Sequence, residues 1–130
     1  MVTGCGWRKK LEETASFYVE ILGFRAVRVE PSNERPESTL LFVDVGSSSQ
    51  LVFSDLPCSA LPDETRSAGS IHHLAIRVDP DRLNDILRRM HDHGITFTGP
   101  IRKHYTSVYV RDPDNVFLEF MAGERISVSS

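Results

Sequence analysis

Long apolar runs are missing from this chain: nothing in it approaches the roughly 18 consecutive hydrophobic residues of a membrane-spanning helix. The opening stretch, Met-Val-Thr-Gly-Cys-Gly-Trp-Arg-Lys-Lys, lacks the apolar core of a secretory signal, so the expected location is the cytoplasm. An excess of charge of either sign is missing too. Lys+Arg number 15 against 18 Asp+Glu, a net charge of -3, and with a pI near 5.9 there is no electrostatic basis for a nucleic-acid partner. The longest basic run, Arg8-Lys9-Lys10, reads as a solvated turn. Cysteine is scarce: Cys5 and Cys58 form no framework of spacings and read as free thiols, and nothing basic adjoins Cys58 to make it a nucleophile. What remains is 130 residues, 40% hydrophobic and 25% charged, enough chain to fold without a disulfide or metal staple.

Two segments carry helical periodicity. Over 11–22, Leu11, Ala15, Tyr18 and Leu22 recur at helical spacing, Phe17 and Ile21 broaden the stripe, Glu12 and Glu13 fall in the first turn, and Gly23 follows as a left-handed cap. A second helix starts at Asp79 as N-cap with Pro80 at the first helical position, carries Leu83, Ile86, Leu87 and Met90 on one face, and closes at Gly94. Short β-rich runs surround them at Ala26–Val29, Thr39–Val45, Gln50–Phe53, Ile71–Val78, Ile95–Thr98, Ser107–Arg111 and Val116–Met121. The pattern repeats. An α+β fold of two βαβββ modules is expected, with module one at about 1–54, a linker at about 55–70, module two at about 71–122 and a tail at 123–130. The first module lacks a well-formed first strand, because Met1 to Gly6 is short and carries two glycines.

Period-two alternation sorts side chains by face. Leu74, Ile76 and Val78 point to the helix, as do Val108, Val110, Val116, Leu118 and Phe120. His73, Ala75, Arg77, Ser107, Tyr109, Arg111, Phe117, Glu119 and Met121 share the other face, and His72 turns to the helix side or the strand edge. An imidazole and a carboxylate among aromatic neighbours on one sheet face suit a small-molecule pocket. The turn Arg111-Asp112-Pro113-Asp114-Asn115 joins the last two strands as a hairpin, with Asn115 able to take a left-handed conformation.

The phrases Phe17-Tyr-Val-Glu-Ile-Leu-Gly-Phe24, His73-Leu-Ala-Ile-Arg-Val78 and Arg111-Asp-Pro-Asp-Asn-Val-Phe-Leu-Glu-Phe120 together resemble the vicinal oxygen chelate superfamily, which includes glyoxalase I, bleomycin- and fosfomycin-resistance proteins and extradiol dioxygenases. The resemblance covers residues 7 to 122 and implies curved mixed sheets enclosing a cavity, in a small homodimer. It implies that metal-dependent members take one ligand from the first strand and one from the last strand of each module. Carried over, those positions are His73 and Glu119 in module two, which suit Zn, Ni, Mn or Fe(II). In module one they fall at about Thr3 and at Val52, neither of which is a ligand; Cys5, Gln50 and Ser54 lie close enough to be considered as substitutes.

Two readings follow. In the leading one the cavity binds a small molecule without turnover, as in the resistance proteins, at a metal-free or atypical site. In the alternative, one divalent ion at His73 and Glu119 serves a lyase, isomerase or dioxygenase acting on a substrate with adjacent oxygens, with Glu119 as the catalytic base. Arg77, Arg111, Tyr109, Phe117 and Val52 are the candidate substrate-binding residues. Arg77 either pairs with Glu119 or Asp44 or recognises an anionic group of the ligand. His91 and His93 do not share a helical face and only complement the helix dipole, and His104 reads as a solvated loop residue.

Overall fold

Both periodic segments form helices, with ends moved by local chemistry. The computed structural model describes residues 7–33, 36–55 and 71–123, and the chain divides into two compact units between Ile71 and His72. In the first unit α1 covers Trp7–Ala15 and continues as a wider π-helical segment over Ser16–Ile21. The helix begins ahead of the apolar stripe because Arg8, Lys9 and Lys10 are unbranched, good helix formers. The run expected to be a solvated turn is therefore helical, and Glu12 and Glu13 lie beyond the first turn. The Leu22 N–H donates back to the Phe17 carbonyl at 2.9 Å, and Gly23, at φ 83°, ends the segment as expected.

Three antiparallel strands follow, β1 (Arg25–Pro31), β2 (Thr39–Gly46) and β3 (Ser49–Ser54), in spatial order β1-β2-β3. Alternation along β2 buries Leu41, Val43 and Val45, which join Phe17, Tyr18 and Leu22 in the apolar interior of this unit. The Tyr18 ring lies 4.7 Å from that of Phe53. Buried Asp55 secures the end of the meander by accepting from the Ser38 hydroxyl at 2.8 Å and the Thr39 N–H at 2.7 Å. Thr3, Cys5 and Cys58, and with them the first-strand position of this module, lie outside the described residues.

The second unit runs β4 (Leu74–Arg77), α2 (Pro80–Asp92), β5 (Thr98–Arg102), β6 (Thr106–Arg111) and β7 (Phe117–Ala122). Its sheet has the order β4-β7-β6-β5, with β4 parallel to β7 and the other pairs antiparallel. Neither sheet is closed. Asp79 caps α2 by accepting the Arg82 N–H at 2.9 Å, with Pro80 opening the helix. Leu83, Ile86 and Met90 are buried, as are Ile76, Val108, Val110, Leu118 and Phe120 of the sheet. Val116 departs from the expected inward set: it is 38% exposed, because it precedes β7 and its backbone belongs to the turn, where its N–H donates to Asp112 at 2.8 Å.

The strand expected at Ile95–Thr98 is displaced to Thr98–Arg102. Gly99-Pro100 reads in sequence as a breaker, yet β5 is an edge strand, where a missing proline N–H removes no necessary ladder bond. The register shifts between Thr98 and Ile101 to absorb the pair. Gly99 sits at φ +118°, and a Cβ there would stand 2.7 Å from the Ser107 carbonyl oxygen. Gly99→Ala should therefore destabilise the unit by about 1–3 kcal/mol, read as a lowered urea midpoint, and an unchanged midpoint would contradict this geometry.

On the outer side of α2, Asp85 meets Arg82 at 3.0 Å, Arg89 at 2.9 Å and Arg88. The Arg89 hydrogen bond holds its carboxyl below the usual aspartate range, helped by the arginine charges and opposed by partial desolvation. Because the folded state favours the carboxylate, this contribution is present above the ordinary aspartate range and is lost as pH falls through the lowered folded-state value. Asp85→Asn should thus cost up to about 1 kcal/mol at neutral pH, the scale of partly exposed ion pairs, and the variant should converge with the parent in strong acid. A deficit unchanged in acid would contradict the ion-pair origin.

Candidate functional site

The outward face of the second sheet gathers most of the chemistry expected of it. The register sets Ala75 beside Glu119 and Glu119 opposite Tyr109 in the middle of the sheet, Arg111 opposite Phe117 at one end, and Arg77 beside Met121 opposite Ser107 at the other. His73 directly precedes β4 and reaches the centre of this grid. Its Nε2 lies 3.0 Å from Glu119 Oε1, and the Ser107 hydroxyl donates to Glu119 Oε2 at 2.6 Å.

As a carboxylate Glu119 only accepts, so His73 presents an Nε2 proton to it. The other edge of the ring meets His72, whose Nδ1 lies 2.8 Å from His73 Nδ1. His72 does not turn to the helix side. It is exposed, with its ring 5.0 Å from His73 and 5.7 Å from Phe117, since it stands two residues ahead of β4, where strand alternation no longer applies. Glu119, with 13% of its side chain exposed, is thus engaged at both oxygens, which lets a carboxylate lie among aromatic rings at little desolvation cost.

Around this dyad the rings form a ledge. Tyr109 and Phe117 lie 5.7 Å apart and 31° from parallel, and His73 meets them edge-on at 6.3 and 5.6 Å. An open cleft of about 480 Å³ is lined by Thr96, Phe97, Thr98, Tyr109, Arg111 and Phe117. The Arg111 guanidinium carbon stands 4.6 Å from the Phe117 centroid, and its Nη1 donates to the Asn115 carbonyl at 3.1 Å. Asn115 adopts φ 68°, as its place in the turn led one to expect.

Arg77 does not pair with Glu119, which is met by His73 and Ser107; it donates to the Tyr105 hydroxyl and lies 4.8 Å over that ring. The cleft lining does not include Arg77. Tyr105 could have been found by extending the outward set 107, 109 and 111 one step back. Phe97 and Thr96 carried no comparable signal, because the displaced β5 left their faces unassigned.

Val52 belongs to the first unit. It pairs with Phe42 of β2, and it is 51% exposed. Among the described residues no group of three His, Cys, Asp or Glu side chains converges. A catalytic metal site ordinarily draws on three protein ligands. Within the second unit the described donors that face one another at this position are His73 and Glu119, two where three are ordinary.

The family model for the Glyoxalase/Bleomycin resistance protein/Dioxygenase superfamily matches residues 7–120. A Bacillus subtilis (strain 168) protein named "Putative ring-cleaving dioxygenase MhqA" is 27% identical over 110 residues, 83% of this chain. The chain spans about a third of that relative's length, 34%. Among solved structures, TnmS3, an antibiotic binding protein from Streptomyces sp. CB03234, superposes with a TM-score of 0.66 at 23% identity, covering 88% of this chain and 87% of its own. A glyoxylase/bleomycin resistance protein/dioxygenase domain from Frankia sp. EAN1pec gives 0.65 at 23% identity, with 87% and 83% covered. Such identities establish the fold. No helix of the structure is long and apolar enough to cross a membrane.

Proposed function

Because the chain belongs to the Glyoxalase/Bleomycin resistance protein/Dioxygenase superfamily, whose members bind small molecules, we propose that it binds a flat, largely apolar small molecule on the aromatic face of its second unit, without a resident metal ion. The observation that carries this reading is the cleft over the Tyr109–Phe117 ledge, beside a carboxylate already satisfied by His73 and Ser107. A ring laid on Tyr109 and Phe117 gains offset stacking, and Thr96 and Thr98 place hydroxyl-bearing side chains at the same cleft. Glu119, hydrogen-bonded at both oxygens, presents no bare acceptor to an apolar ligand. The antibiotic-binding description of TnmS3, a protein of like fold, is in keeping with this use.

The competing reading is a divalent-metal enzyme, as superfamily members commonly are; two facing donors at the family's metal positions favour it, and the lack of a third converging donor among the described residues opposes it. Ligand-observed NMR with a panel of flat aromatic compounds, run on untagged protein in excess EDTA, separates the two. Binding in EDTA is the expected result. No binding until Zn, Ni, Mn or Fe(II) is restored, with a stoichiometric ion lost in His73→Ala, would overturn it in favour of the enzyme. The proposal extends to a homodimer, as superfamily members often form, and sedimentation giving only monomer at about 50 μM, a concentration suited to ordinary interfaces, would contradict that part.

A further inference from the structure

Resting on that binding reading, we propose that the ligand is an aromatic anion, a flat ring system bearing a carboxylate or similar group, whose charge is seated on Arg111 at the rim of the cleft. Arg111 is the one charged side chain in the cleft lining. Among the described residues of its own unit it has no acidic partner: Asp85 is engaged by three arginines of α2, and Glu119 by His73 and Ser107. The nearest acid along the chain, Asp112, accepts the backbone N–H groups of Asp114 and Val116 at 2.9 and 2.8 Å. An arginine with no carboxylate partner in its own unit leaves a guanidinium at the rim of the cleft whose charge no side chain pairs among the described residues of that unit.

The guanidinium is also held in place before any ligand arrives. Its carbon rests over the Phe117 ring and one N–H is committed to the Asn115 carbonyl. A guanidinium carries five N–H donors, so a planar pair of donors remains to meet an anionic group bidentately. The anion belongs to the same molecule that stacks on the ledge, because Arg111 and Phe117 are cross-strand partners. At the far end of the face Arg77 is occupied with Tyr105 and stands outside the cleft, so the proposed recognition is one-sided.

Calorimetric titration with three probes of equal ring size tests this: 2-naphthoate, 2-naphthamide and 2-naphthyl-trimethylammonium. The naphthoate should bind about 10- to 100-fold more tightly than the amide, the span of a charge-assisted hydrogen-bonded contact, with the cation weakest. Arg111→Gln should remove that preference by weakening naphthoate far more than the amide, and Arg88→Gln, an equal charge change on α2, should leave the preference intact. Equal binding of naphthoate and amide, or a preference that survives Arg111→Gln, would overturn the anion assignment and leave the aromatic site standing. Failure of all three probes to bind would overturn the aromatic site itself.

Discussion

Truncating Phe120 to alanine is expected to cost about 3–5 kcal/mol, the range for deleting a fully buried aromatic side chain. Phe120 has no exposed surface. It sits in β7, between Ile76 of β4 and Val108 of β6, both buried, so sheet neighbours on both sides limit how far the site can collapse. Against a total stability of about 5–15 kcal/mol for a domain of ordinary size, the variant should stand near its unfolding threshold at room temperature. The urea midpoint should drop steeply with little change in slope. A loss under about 1 kcal/mol would mean that β7 does not present Phe120 to the interior, and the placement of Glu119 on the opposite face would fall with it.

Phe117→Ala carries the largest effect expected on binding. Phe117 is half-buried at the outer end of the same strand, meets Tyr109, His73 and His72, and carries Arg111 above it. Removing its ring takes away one of the two stacking surfaces and the support for the guanidinium, so naphthoate affinity should fall about tenfold or more. Stability should change far less than in Phe120→Ala, because one face of the ring already meets solvent and the cleft. Retained affinity would place the ligand elsewhere on the molecule.

The contrast between these two residues shows what the sequence makes legible. In β6 and β7 one face is apolar and the other mixed, so a period of two assigns Val108, Val110, Leu118 and Phe120 inward and Ser107, Tyr109, Arg111, Phe117 and Glu119 outward without any coordinates. His73 and Glu119 meet because of it. The same rule fails where the strand stops: His72 and Val116 each lie just off a strand end, where turn geometry and ring contacts decide direction. It fails at β5 as well, where Gly99-Pro100 looks like a terminator but is absorbed by an edge-strand irregularity. That misplacement hid Phe97, Thr96 and Thr98, half of the cleft residues described above.

Partner choice was harder to read than face. Arg77 could be placed outward from its neighbours, but its contact with Tyr105 depends on how the loop before β6 folds back, which alternation does not encode. The contact between His72 and His73 likewise depends on the segment ahead of β4, where alternation gives no direction. Val52 lies in β3 across from Phe42, and Glu119 in β7 across from Tyr109.

The central claim is that a small aromatic molecule binds the outward face of the second sheet without a metal. Its most direct measurement is a chemical-shift map of the protein, backbone and aromatic side chains, titrated with 2-naphthoate in excess EDTA. Shifts concentrated at Phe97, Tyr109, Arg111 and Phe117, with smaller ones at His73 and Glu119, are the predicted result. Shifts centred elsewhere, or none until a divalent ion replaces the chelator, would contradict it.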